Sequence, residues 1–298
     1  MKRTIKIISK FAILPVVLLL LLLIVIGGGF GPKEDLPLVI STMERPILFA
    51  HRGVGSNYSE NNERAIRNTL ARGFPAVELD VQFSADSIFF THHDKDIKLS
   101  VNSYITAEEI KLSDKPVSPD QRGKQLSIKM SVSTLSNCIE PNKYKLIFYL
   151  DMKRYGHDSV FDLAKDISSF IREHKLQQTC MVASAHVLFI TYLEYTNPEI
   201  ITVMEGIDTE NPWLFNIIPK KFKPDMIASR QAMINDEFVQ WLKDNNMLSR
   251  YVVYHGDQST FPNDLDRGIE MFIVDYEPYL DDYLTPDSSL LQTRRKTK

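Results

Sequence analysis

Short runs of β-branched and aromatic residues recur from position 47 to position 274, separated by stretches with helical spacing, and this rhythm constrains the fold more than any other feature. Strand-like runs fall at 47–50, 76–81, 88–92, 145–150, 179–183, 200–203, 226–228, 250–254 and 271–274. Helical patterns fall between several of them, at 60–71, 159–174, 188–195 and 236–246. Strands that alternate with helices make a parallel sheet with helical crossovers. Nine runs are close to the eight positions of a (β/α)₈ TIM barrel, and 76–81 and 88–92 are joined too tightly for a crossover helix. A doubly wound open sheet is the competing layout. Polar residues gather after many different strands, as in barrels that build a site at their C-terminal face, so an α/β fold of the (β/α)₈ type is expected.

The N-terminus stands apart. Residues 11–32 carry no charge and follow Lys2, Arg3, Lys6 and Lys10. Such a stretch meets the roughly 20 residues needed to span a bilayer core. A cleaved signal peptide shares the basic start, and Gly27, Gly28 and Gly29 offer small residues for cleavage, which would make the protein secreted. The expected organisation is a signal-anchor or transmembrane segment over 1–32, a linker over 33–46, a catalytic barrel over 47–285 and a basic tail over 286–298. Basic residues before the span, with Glu34 and Asp35 after it, place the body outside the cytoplasm. No other segment can span, which excludes a channel or transporter.

The formal charge of −3 is asymmetric. Setting aside the four basic residues before position 11 leaves 31 Lys and Arg against 38 Asp and Glu, about −7. Such a body does not bind nucleic acid or anionic lipid indiscriminately. Cys138 and Cys180 either pair or stand as separate buried thiols, and the oligomeric state is open.

Chemistry concentrates between Ile47 and Asp94. In Val77-Glu78-Leu79-Asp80-Val81 the strand period of two puts both acids on one face. Adjacent carboxylates repel unless a cation or proton lies between them, and an all-oxygen set suits Mg²⁺ or Ca²⁺. Taken alone, the solvated face of a half-buried strand has the same pattern. Residues 145–153 repeat the device, with Asp151 and Lys153 on the face of Ile147 and Tyr149. Asp151 completes a metal set and Lys153 neutralises a phosphate, or the two form a simple ion pair. His51 and Arg52 follow the first strand, and His93 follows the third, with His92 on the opposite face. A guanidinium fork matches phosphate oxygens, and two imidazoles can serve as acid and base across a phosphorus atom.

The order His51-Arg52-Gly53, Glu60-Asn61, Glu78-x-Asp80-Val81, His93-Asp94 resembles the glycerophosphodiester phosphodiesterases, whose pattern runs HRG, PENT, E-x-D-V, H-D. The resemblance continues through Thr134-Leu135, Asp151-Met152-Lys153, Ser184 and the stretch from Arg267 to Pro278, and so covers about 47–278. It implies a TIM barrel that hydrolyses glycerophosphodiesters to glycerol 3-phosphate and an alcohol with one divalent cation, Mg²⁺ or Ca²⁺. It assigns Glu78, Asp80 and Asp151 to the metal, His51 and His93 to acid–base catalysis, and Arg52 and Lys153 to the substrate phosphate. Departures accompany it. Ser59 stands for Pro, Asn62 for Thr and Asp151 for Glu, and the W-T-x-N pattern is replaced by Tyr251-Val252-Val253-Tyr254-His255-Gly256-Asp257. Two alternatives follow: a lysophospholipase D acting on membrane lipids, or a silent anchored barrel kept as a binding module.

Overall fold

The computed structural model describes residues 15, 17–31, 33, 37–53, 60–100, 102–113, 122–153, 159–256 and 258–275. Twelve strands occur among them: β1 Ile47–Ala50, β2 Ala76–Phe83, β3 Phe89–Thr91, β4 Asp96–Ser100, β5 Ser103–Thr106, β6 Ser133–Thr134, β7 Ile147–Met152, β8 Cys180–Ser184, β9 Ile201–Glu205, β10 Met226–Arg230, β11 Tyr251–His255 and β12 Met271–Val274. Eight are parallel and run in the order β1-β12-β11-β10-β9-β8-β7-β2, and β2 pairs back to β1, which closes the barrel. The expected fold is the one observed. The ninth run, at 88–92, is the short β3, which pairs antiparallel to the end of β2 and lies outside the closed ring. Only the turn at 84–88 separates β2 from β3, too little chain for a parallel crossover.

The strands read as continuous apolar runs because both faces are covered. Val77, Leu79, Val81, Phe148, Leu150 and Met152 face outward and pack under helices such as Val160–Glu173 and Val187–Thr196. Alternate residues point inward: Ile47, Ala76, Ile147, Met181, Ile201, Met226 and Met271 belong to the interior cluster near the strand starts. The interior is apolar at the N-terminal ends and becomes acidic toward the C-terminal ends.

Helix ends follow side-chain caps rather than apolar spacing. The stretch expected as a helix over 60–71 becomes helical only at Glu63–Ala71, because Asn61 is left-handed (φ 53°) and Asn62 Oδ1 accepts from Arg64 N and Ala65 N. Between β3 and β6 an excursion carries β4, β5 and the helix Arg122–Ser131, with a small core of its own around Phe90, Ile97, Ile105 and Ile128. Cys138 and Cys180 are both buried and unlinked.

Residues 17–26 are helical, and among the described residues no helix is long and apolar enough to cross a membrane. Residues 1–14, 16 and 32 of the expected anchor, 276–278 of the last motif, and the tail lie outside the described residues. Within 33–46, Ile40 is fully buried against the interior cluster at the barrel's base.

Candidate active site

β1 leaves the sheet into a single tight turn, His51–Gly53. Arg52 takes a left-handed conformation there (φ 51°), and its backbone N–H donates to Glu78 Oε2 at 2.9 Å. Gly53 is left-handed as well (φ 84°), and a Cβ on it would lie 2.6 Å from Ala65 Cβ. The helix Glu63–Ala71 approaches the turn this closely only because the residue is glycine.

Glu78 and Asp80 point into the barrel from β2. The neighbouring strand brings Asp151 level with Asp80. The three residues each offer an oxygen within 4.8 Å of the others. Oxygens on opposite sides of one cation lie up to about 4.2 Å apart for Mg²⁺ and about 5.2 Å for Ca²⁺, so the spacing fits a Ca²⁺-sized ion as it stands and Mg²⁺ after a slight closing of the set. Glu78 Oε1 is buried and has no hydrogen-bond partner, the kind of orphaned acceptor that a cation would satisfy.

Cations already flank the acids. Lys153 Nζ lies 2.9 Å from Asp80 Oδ1 and 2.5 Å from Asp151 Oδ2, and Arg52 Nε is 3.2 Å from Asp80 Oδ2. Asn61 grips Asp80 twice, its Nδ2 donating to Asp80 Oδ2 and its Oδ1 accepting from the Asp80 N–H. These contacts divide the titrations. Burial raises the Glu78 carboxyl well above the usual range, and the charges of Asp80 and Asp151 raise it further. Burial also acts on Asp80, but Lys153, Asn61 and Arg52 outweigh it and hold that carboxyl low. For Asp151 burial prevails over Lys153, and its carboxyl is raised. Burial would lower the Lys153 ammonium, yet Asp151 and Asp80 hold it above its ordinary value.

Each imidazole is held through Nδ1. His51 Nδ1 is 2.6 Å from Asp275 Oδ1, and His93 Nδ1 is 2.7 Å from Asp94 Oδ1. An aspartate on Nδ1 fixes the ring and leaves Nε2 for proton transfer. His51 Nε2 lies 3.9 Å from Glu78 Oε2. His51, Arg52, Glu78, Asp80, His93, Asp151 and Lys153 all line one cavity of about 1150 Å³ at the C-terminal mouth. Every residue expected at the site from the sequence is therefore brought together.

The sequence reading missed Glu205 and the phenols that hold it. Tyr149 and Tyr254 donate to Glu205 Oε1 at 2.8 and 2.5 Å. Burial, then the charge of Asp151, push the Glu205 carboxyl up to about 7. The signal was available: Ile201, Val203 and Glu205 alternate inward and end in an acid, as β2 and β7 do. Asp275 was read as part of a motif, without its role as the His51 partner.

Clustered carboxylates, two oriented imidazoles and two cations at a barrel mouth define a site for a phosphate ester. The family model described as "Glycerophosphoryl diester phosphodiesterase family" matches residues 51–272, and the chain belongs to that family. It is 23% identical over 238 residues to a glycerophosphodiester phosphodiesterase of Bacillus altitudinis, covering 77% of this chain and 94% of that one. It is 25% identical over 187 residues to glycerophosphodiester phosphodiesterase 1 of Homo sapiens, covering 59% of this chain and 52% of the human protein. Among solved structures, a glycerophosphodiester phosphodiesterase from Parabacteroides distasonis superposes with a TM-score of 0.63 at 17% identity, over 85% of this chain and 100% of that one. An Oleispira antarctica phosphodiesterase in complex with the product sn-glycerol-3-phosphate also gives a TM-score of 0.63 at 17% identity, over 80% and 96%. At that identity the likeness speaks for the fold.

Proposed function

We propose that the chain hydrolyses glycerophosphodiesters to glycerol 3-phosphate and an alcohol. The observation that carries this reading is the junction, in one cavity, of a cation-sized carboxylate set with two aspartate-held imidazoles. Glu78, Asp80 and Asp151 would hold one Mg²⁺ or Ca²⁺, which when bound neutralises charge on the phosphoryl oxygens. Arg52 and Lys153 orient the phosphate. One of His51 and His93 takes the proton of the attacking hydroxyl: water gives glycerol 3-phosphate directly, whereas the glycerol 2-hydroxyl gives a cyclic phosphate that water then opens to glycerol 3-phosphate. The other gives a proton to the leaving alcohol as its bond to phosphorus breaks. Acid–base groups of this kind supply roughly 10²–10⁴-fold each.

The domain plan belongs to the same proposal: 1–32 as an uncleaved signal-anchor or transmembrane segment, 33–46 as the linker, 47–285 as the catalytic barrel outside the cytoplasm, and 286–298 as a basic tail. The test is a panel of glycerophosphodiesters incubated with the detergent-purified full chain and added Mg²⁺ or Ca²⁺, read as released glycerol 3-phosphate. Release from at least one member is expected. No turnover across the panel refutes the reading and leaves the lysophospholipase D and binding-module alternatives.

A further inference from the structure

The base of the barrel, opposite the cavity, grips the chain that precedes it. Lys33 Nζ lies 2.5 Å from Glu194 Oε1 and 2.5 Å from Asp225 Oδ1. Both acids are fixed in turn. Thr202 Oγ1 donates to Glu194 Oε2 at 2.6 Å, and the Thr202 N–H donates to Asp225 Oδ2 at 3.0 Å. Arg250 donates to the Asp225 carbonyl and, at 3.4 Å, to the carbonyl of Lys33 itself. Thr202, Asp225 and Arg250 sit at the N-terminal ends of β9, β10 and β11, whereas Glu205 and Tyr254 of the cavity sit toward the other ends of β9 and β11.

Two more contacts flank this clamp. Upstream, Lys220 N and Lys221 N donate to the carbonyls of Gly29 and Gly27, both at 2.9 Å. The approach is close: a Cβ on Gly27 would fall 2.4 Å from Pro219 Cβ. Downstream, Ile40 fills the base of the barrel among the first inward residues of the strands. The chain is thus held at three points between Gly27 and Ile40, directly after the helical residues 17–26. A loose tether makes none of these contacts.

The surface around this exit suits a bilayer interface. Phe30 and Ile217 are each more than half exposed. Tyr195 stacks on Phe222 at 4.7 Å between centroids, and Lys220 and Lys221 lie alongside. Aromatic side chains with lysines beside an apolar helix are the composition of a membrane–water boundary, and lysines there attract anionic lipid.

We propose that the base of the barrel faces the membrane and the cavity opens away from it, so that the substrate is the water-soluble, deacylated diester rather than a lysophospholipid of the same bilayer. This inference rests on the reading of 1–32 as an anchor. Strands of about five residues at ~3.3 Å each, with their loops, put the cavity mouth roughly 20 Å from the base. A lysophospholipid would have to leave the bilayer entirely to reach it.

The test uses the full chain reconstituted in phosphatidylcholine–phosphatidylglycerol vesicles that carry a headgroup-nitroxide lipid. Cys138 and Cys180 are buried, so a fluorophore can be placed selectively at Lys221→Cys on the base or at Ala232→Cys on the exposed cavity rim. The expected result is flotation with the vesicles, loss of fluorescence from the Lys221→Cys label, and little change at Ala232→Cys. Glycerophosphocholine added outside such vesicles should turn over at least ~10-fold faster than long-chain lysophosphatidylcholine within them, a modest barrier of about 1.4 kcal/mol. Flotation with quenching at Ala232→Cys, or faster lysophospholipid turnover, overturns the orientation and leaves the anchor standing. Failure to float overturns the anchor and the orientation together. If neither substrate reacts, the proposed activity fails, while the two labels still decide the orientation.

Discussion

Removing the charge of Lys153 should destabilise the cation-free protein and make it more responsive to added cation. Lys153→Met keeps the apolar stem and deletes the ammonium that spans Asp80 and Asp151 at 2.9 and 2.5 Å. Breaking a buried pair costs about 3–5 kcal/mol, because a charge is left without its partner. The Lys153 side chain is 21% exposed, which puts the cost near the lower end, ~3 kcal/mol. At ~2–4 °C per kcal/mol for a body of this size, the melting temperature in chelator should fall by about 6–12 °C at pH 7. Added Mg²⁺ or Ca²⁺ restores positive charge beside the same oxygens, and a ligand at one hundred times its Kd contributes about 2.7 kcal/mol. The variant should therefore recover more than the wild type gains. The sign with pH follows from Asp80, whose carboxyl is held below its ordinary value. A carboxyl lowered in the folded state contributes stability above its unfolded pKa and loses it as pH falls through the folded value. The gap between variant and wild type should narrow as the acids protonate. Scanning calorimetry with chelator or cation, at pH 7 and at low pH, measures all of this. Equal melting temperatures in chelator at pH 7, or a gap that cation leaves unchanged, would mean that Lys153 does not balance the charge of Asp80 and Asp151.

Three further outcomes are expected. Burial would raise the Asp86 carboxyl, but hydrogen bonds from Ser113, Leu112 and Ser84 hold it down at about 2. Asp86→Asn should therefore lower stability by about 1 kcal/mol after solvent screening, fully above pH 3.8 and vanishing as pH falls toward 2, read from melting curves across that window. Glu205→Leu leaves the buried phenol of Tyr149 and the partly buried one of Tyr254 without their acceptor and should cost about 2–4 kcal/mol in denaturant titration, whereas Glu205→Gln, which still offers an oxygen, should cost well under half of that. Gly53→Ala forces a Cβ against Ala65 at a left-handed position and should displace His51 and Arg52, lowering kcat more than ~10-fold while the far-ultraviolet circular dichroism stays native.

The barrel was legible because a parallel strand covered on both faces writes itself as a short apolar run, and because eight such runs close a ring. The exception, β3, could not be told from its neighbours by composition: antiparallel pairing with β2 depends on the length of the turn between them. The acids of β2 and β7 were legible through the period of two, and their level register across the strands needed only parallel pairing. Glu205 shows the same period, but Ile201-Thr202-Val203-Met204-Glu205 carries a single acid with no charged neighbour, so the period alone does not single it out. The partners of the histidines divide the same way. Asp94 is adjacent to His93 in sequence, while Asp275 meets His51 only because β12 lies beside β1 in the closed ring. The grip on Lys33 was invisible, since it joins one residue of an apparent linker to acids 161 and 192 positions away.

In the proposed mechanism a three-carboxylate cation site and two imidazoles act together on one phosphodiester. Calorimetric titration of Mg²⁺ and Ca²⁺, paired with glycerol 3-phosphate release, tests it in the wild type, His93→Ala and Glu78→Gln. The wild type should bind one cation and lose activity in chelator. His93→Ala should bind cation as the wild type does and turn over at least ~10²-fold more slowly, and Glu78→Gln should lose both binding and turnover. Full activity in chelator, or a His93→Ala variant that works at the wild-type rate, would contradict it.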